Sequence, residues 1–149
     1  MQWYGSIFPR IIQHLPSNRI LEIACGYGRW TQYLKDLCSN LVVVDLSSEC
    51  IQGCKKRFSD CPHIEYHIND GKSLDMISDS SVDFLFSFDS LVHADESVLK
   101  AYLSQLPRIL TDNGVAFIHH SNLGEYADIY SKIRAIPYLE RILTGLGVL

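Results

Sequence analysis

Residues 19–28, RILEIACGYG, decide the fold. Arg19 to Ala24 is a short apolar run of strand length, and Gly26 and Gly28 stop it, because glycine lets the backbone turn tightly and approach a ligand closely. From Arg29 to Cys38 the pattern returns to helical character. Strand, glycine turn and helix follow one another. Leu41-Val42-Val43-Val44 then forms a continuous, largely β-branched run, as expected of a parallel strand buried on both faces, and it ends abruptly at Asp45. Asp45 stands nineteen residues after Gly26, at the tip of the second strand, where a carboxylate is placed to accept both ribose hydroxyls of an adenosine.

The same alternation extends in both directions. Upstream, Ile7, Phe8, Ile11, Ile12 and Leu15 recur at helical spacing until Pro16-Ser17-Asn18 breaks the pattern. Downstream, Ser47 or Ser48 caps a helix running to about Phe58. His63 to Ile68 reads as a third strand, Asn69-Asp70-Gly71 as its turn and Val82 to Phe88 as a fourth strand. A helix from about Glu96 to Leu110 leads to the turn Asp112-Asn113-Gly114 and a fifth strand, Val115 to His119 or His120. Alternating strands and helices imply right-handed crossovers and a parallel sheet covered on both faces, with ligands gathered at the carboxyl ends of the strands.

Composition narrows the class. The 149 residues suit one domain, with 47% hydrophobic and 20% charged residues, as in ordinary globular proteins. No apolar run approaches the roughly eighteen residues of a membrane span, and no basic segment followed by an apolar run opens the chain, so the expected location is the cytoplasm, away from membranes. A net charge of −4, with no basic cluster beyond Lys55-Lys56-Arg57, argues against nucleic acid as a partner. Cys25, Cys38, Cys50, Cys54 and Cys61 are odd in number and form no CxxC pair, so they read as reduced thiols. His63 and His67 fall in one strand about 13 Å apart, too far to share an ion.

Nicotinamide dinucleotides and S-adenosyl-L-methionine both carry an adenosine ribose. A dinucleotide site wants a glycine or alanine three residues after Gly28, where this chain has Thr31. Glu22, at the end of the first strand, would repel a pyrophosphate but favours the ammonium and sulfonium of S-adenosyl-L-methionine. With Glu22-Ile23-Ala24-Cys25-Gly26-Tyr27-Gly28 as first motif and Asp45-Leu46 as second, the chain resembles the class I S-adenosylmethionine-dependent methyltransferases over about residues 1–130. Asn69-Asp70-Gly71 and Ser87-Phe88-Asp89 fit the turns after the third and fourth strands, and Ala24 stands where that family often has glycine.

The resemblance implies a three-layer, doubly wound Rossmann-like methyltransferase fold with a mostly parallel sheet. It implies cofactor binding by Glu22, Ala24, Gly26, Gly28, Asp45, Leu46, Asp70, Gly71, Ser87 and Phe88, with Leu46 on the adenine face and Asp70 at its exocyclic amine. The stretches Phe88 to His93 and Phe117 to Asn122 look like bacterial small-molecule methyltransferases that modify sugars or polysaccharides, and a sugar hydroxyl is the leading acceptor. A hydroxyl acceptor has a proton to lose, and histidine is the usual base near neutrality. Candidate catalytic residues are Asp89, His93, His119 and His120; adjacent strand residues point to opposite faces, so only one of the last two can enter the cleft. Asp89 with His93 and one of that pair is also a conceivable metal set, but no metal is assigned.

The whole chain reads as one domain: an N-terminal helix over 1–18, a core over 19–122, and a helix from about Glu125 to Ile136 with a stub ending at Leu149 over 123–149. The C-terminal hairpin usual in the family has no counterpart, which leaves the fifth strand as an edge and leads to the expectation of a homodimer. A catalytically silent cofactor-binding domain is the alternative reading. A nucleotide-cofactor oxidoreductase, disfavoured by Glu22 and Thr31, is the third.

Overall fold

The computed structural model describes residues 2–120; the expected helix near 125–136 and the stub at 142–149 lie outside the described residues. Five strands, β1 (Ser17–Ile23), β2 (Cys38–Asp45), β3 (Ile64–Ile68), β4 (Val82–Ser87) and β5 (Leu110–Ile118), form one sheet in the order β3-β2-β1-β4-β5. Every described pairing is parallel. The order reverses direction beside β1, between β2 and β4, and there the carboxyl ends of β1, β2 and β4 open a crevice.

The sheet separates two apolar clusters because successive side chains along a strand point to opposite faces. Ile20 of β1, Leu41 and Val43 of β2, and Phe84 and Phe86 of β4 face one side, where Trp3, Ile7, Ile11, Trp30, Leu34, Ile51 and Cys54 cover them. Leu21 and Ile23, Val42 and Val44, and Leu85 face the other, under Leu74, Ile77, Leu91, Tyr102 and Ile109. The result is the expected three-layer arrangement. Fully burying one such aliphatic side chain contributes roughly 1.5–3 kcal/mol, so the four consecutive buried residues Leu41 to Val44 anchor β2 beside the central β1.

The helices depart from the sequence pattern in instructive ways. The N-terminal segment is divided into a π segment (Trp3–Ile7), α1 (Phe8–Ile11) and a 3₁₀ turn (Ile12–His14). After β1, turns run through Gly26 to Trp30, so α2 spans only Thr31–Leu34, where helical character was expected from Arg29 to Cys38. Gly26 and Gly28 adopt φ +54° and +80°, which no helix tolerates, and pairing of Ser17 with Cys38 draws Cys38 into β2.

Helix α3 (Ser48–Arg57) begins as expected: the Ser47 hydroxyl accepts the Cys50 amide at 3.2 Å. Helix α4 (Glu96–Ile109) accommodates Pro107 in its last turn. Asp112-Asn113-Gly114 does not precede β5 but lies within it, at an irregularity where the register against β4 shifts between Val82 and Phe84. A Cβ at Gly114 would come within 2.7 Å of the Val82 carbonyl, so the glycine permits close strand approach.

Candidate functional site

The site grows from the end of β1. Ala24 has φ +59°, a left-handed conformation unusual for a residue with a Cβ. Two bonds hold it: its amide donates to the Val44 carbonyl at 2.7 Å and its carbonyl accepts the Ser90 hydroxyl at 2.9 Å. A Cβ on Gly26 would meet nothing within 4 Å, so conformation rather than space requires glycine there. Gly28 differs, because a Cβ would fall 2.5 Å from the Phe58 ring.

Asp45 closes the turn from the neighbouring strand. Its Oδ2 accepts the Gly26 amide and its Oδ1 accepts the Ser47 amide, each at 2.8 Å. Both oxygens keep lone pairs for further donors. Beyond it, Asn69 Oδ1 accepts the Gly71 amide at 3.0 Å and Asp70 Oδ1 accepts the amides of Lys72 and Ser73. Those amides hold the exposed Asp70 carboxyl below its ordinary pKa.

A cleft of about 270 Å³ lies between these segments. Ala24, Asp45, Leu46, Asp70 and Gly71 line it together with Lys72, Leu91, Ala94, Val98 and Tyr102. Five of the ten cofactor residues expected from sequence thus share one cavity wall. Leu46 is 64% exposed, an aliphatic side chain presented at a cavity instead of buried. The second group was not anticipated. Its clearest member is the nearly buried Tyr102, whose hydroxyl accepts a bond from Asn69 Nδ2 at 3.0 Å.

Glu22, Gly26, Gly28, Ser87 and Phe88 do not line that cavity. Glu22 is 1% exposed on β1; Thr31 donates its hydroxyl to Oε2 at 2.5 Å, and Oε1 is buried with no partner among the described residues. Burial pushes its carboxyl up to about 8, far above the ordinary carboxylate range, so burial favours the neutral form where the sequence reading takes a standing negative charge. A cation brought against Oε1 would restore the charge. Ser87 is fully buried: its carbonyl accepts the His119 amide at 2.8 Å, and its hydroxyl has no partner among the described residues.

Phe88 belongs to an aromatic wall on the face of β4 and β5 opposite α4. Its carbonyl accepts Trp30 Nε1 at 3.1 Å, and its ring stacks on His119 with centroids 4.4 Å apart and lies parallel to Phe117. His119 Nδ1 is buried without a partner among the described residues; His120 follows it and is exposed. His119 is therefore the one of the pair built into the wall. Asp89, with φ +67°, is exposed and paired with Arg29 at 3.1 Å; the Arg29 guanidinium also lies 4.6 Å over the Trp30 ring. His93 ends the 3₁₀ turn Leu91–His93 that follows β4. Among the described residues no three His, Cys, Asp or Glu side chains cluster to hold a metal, and no helix is long and apolar enough to cross a membrane.

A parallel sheet ordered β3-β2-β1-β4-β5, with a glycine turn tied to an acid on the adjacent strand, defines a doubly wound domain whose ligand lies across the strand ends. The chain belongs to the methyltransferase domain family, whose model matches residues 20–114. It is 25% identical over 128 residues to a malonyl-[acyl-carrier protein] O-methyltransferase of Hamiltonella defensa, covering 84% of this chain and 47% of that enzyme. Among solved structures, the PH0226 protein of Pyrococcus horikoshii superposes with a TM-score of 0.68 at 23% identity, over 89% of this chain and 65% of that one. A Haemonchus contortus phosphoethanolamine N-methyltransferase, solved with phosphoethanolamine and S-adenosylhomocysteine, gives 0.65 at 23% identity, over 72% of this chain and 23% of that one. The chain spans less than half the length of the curated relatives it matches.

S-adenosylmethionine is the cofactor of this family, and the residues present fit it. The cavity sets aliphatic Leu46 beside two acids that retain acceptor capacity, and the buried Glu22 Oε1 is left without a partner among the described residues.

Proposed function

We propose that the chain transfers a methyl group from S-adenosylmethionine to a hydroxyl of a small molecule, a sugar hydroxyl being the specific acceptor class. The observations that carry the reading are the cavity between Asp45 and Asp70 at the strand ends and the aromatic wall ending in His119. When bound, the cofactor supplies a methyl carbon activated by a sulfonium. Asp45 accepts ribose hydroxyls, Leu46 packs on the adenine and Asp70 accepts from its amine.

On the other side, Phe88 and Trp30 exclude water, and His119 takes the acceptor's proton, with Asp89 orienting the acceptor at the rim. His119 suits that role because stacking on Phe88 orients its ring at the end of β5. His93 and His120 remain the alternative bases. Nothing in the relatives' names points to a sugar; that part rests on the motifs around Phe88 and Phe117. We further propose a homodimer acting in the cytoplasm. The free state of the five cysteines among the described residues supports a reducing compartment.

The test is a radiolabelled methyl-transfer assay against panels of sugars, other alcohols and amines, run beside calorimetry with S-adenosylhomocysteine. Transfer to a sugar or other alcohol supports the reading, and transfer confined to amines overturns the hydroxyl assignment. Tight binding of S-adenosylhomocysteine without transfer to any panel would favour a silent cofactor-binding domain.

A further inference from the structure

Helix α3 carries Glu49, Gly53 and Arg57 at intervals of four residues, which places them along one helical stripe. All three meet the glycine turn. Glu49 Oε1 accepts the Tyr27 hydroxyl at 2.9 Å. Gly53 leaves room for the Tyr27 ring, because a Cβ there would come within 2.6 Å of Cδ1. Arg57 donates from Nη1 to the carbonyls of Tyr27 at 3.1 Å and Gly28 at 3.0 Å, and from Nη2 to Gln32 Oε1 at 2.8 Å.

We propose that Arg57 is a positioning residue for the cofactor site, acting through the glycine turn from the side away from the cleft, with Glu49 and Gly53 completing the grip. The turn needs such a grip. Ala24, Gly26 and Gly28 all have positive φ, so the segment has no regular ladder, and its outward carbonyls must find partners elsewhere. A guanidinium is suited to the task because its planar fork spans two carbonyls and a third acceptor at once.

The turn is held by two different groups. Asp45 holds the amide of Gly26, while Arg57 holds the carbonyls of the two residues that follow. The same helix starts where the Ser47 amide binds Asp45 Oδ1, so α3 connects both cofactor-facing segments through its two ends. Neither Arg57 nor Tyr27 lines the cleft, and both are exposed, so their bonds add little to global stability while fixing where the Gly26 amide points.

The inference rests on the family's cofactor occupying this cleft, and one experiment separates the two. Calorimetry with S-adenosylhomocysteine and thermal unfolding are run on the full chain, R57A, R57K and G53A. We expect R57A to weaken binding about tenfold or more, the range for bonds to a charged group, with little change in unfolding temperature. R57K, which reaches one carbonyl, should recover part of the loss. G53A should weaken binding by displacing the Tyr27 ring. Combined with R57A, it should cost less than the product of the two, because both act on one turn. R57A binding as tightly as the parent overturns the proposal, as does a fall in unfolding temperature with affinity intact. Should R57A fail to fold, G53A decides by the same readout. A parent chain that does not bind S-adenosylhomocysteine overturns the cofactor reading and this inference together.

Discussion

Asp45 Oδ2 accepts the Gly26 amide at 2.8 Å, so the acid ending β2 is part of the turn that ends β1. A local turn leading into α3 would need only the bond to the Ser47 amide; the bond to Gly26 adds a second duty, shaping the glycine turn, and the cavity adds a third. Asp45→Ala should weaken S-adenosylhomocysteine by about 1.5–3 kcal/mol, the range for hydrogen bonds to a charged group. Calorimetry checks it. An unchanged affinity would leave Asp45 with structural duties alone.

Glu22 makes the free domain sensitive to pH. Its carboxyl is raised from 4.5 to about 8 by burial, so folding takes up a proton between those values. The stability associated with the neutral form is full below about pH 4.5 and is lost as pH rises through 8, on the order of a few kcal/mol. Unfolding temperature should therefore fall between pH 5 and 8.5 in the parent and fall less in Glu22→Gln. Binding a cation at Oε1 should release a proton, and calorimetry in two buffers of different ionisation enthalpy measures that release. A parent whose pH profile matches Glu22→Gln would show that Glu22 is ionised throughout.

What was legible in the sequence depended on local pattern. The run Leu41 to Val44 announced a strand buried on both faces, and the position of Asp45 and a cap at Ser47 or Ser48 followed from local pattern, the structure choosing Ser47. The bond from Thr31 to Glu22 was not legible, although both residues had been singled out, because it depends on how α2 packs over β1. The segment between β3 and β4 shows the same limit. Leu74 and Ile77 are fully buried, yet turns rather than a helix carry them, and Arg108 of α4 holds that segment through the carbonyls of Leu74 and Ile77. The Arg29–Asp89 pair spans sixty residues and carries no periodic signal.

The base assignment has a direct test once an acceptor is known. His119→Ala should lower turnover by about 10²-fold or more with cofactor affinity retained, while His93→Ala and His120→Ala should change it less. A rate that is flat from pH 5.5 to 8.5, with no loss in any of the three variants, would mean that alignment alone carries the transfer.

Among the described residues, β5 has β4 on one side and no strand on the other. Val115 and Phe117 pack toward one apolar cluster, and Ala116 and Ile118 toward the other, yet all four are only half-buried, whereas Phe84, Leu85 and Phe86 of β4 are fully buried. An edge with apolar side chains and open backbone groups templates pairing with other chains, and native proteins cover it. Symmetric pairing of two copies is one cover, and residues 142–149, which lie outside the described residues, are another. Gly145 and Gly147 make that stretch a poor strand interior, which favours the dimer. Light scattering at micromolar concentration should therefore give twice the 16.9 kDa chain mass. The dimer should dissociate when a charge is placed on the half-buried face, as in Ile118→Lys, with the circular dichroism of the fold retained. A parent that stays monodisperse at one chain mass across that range would refute the dimer and leave the C-terminal residues as the cover.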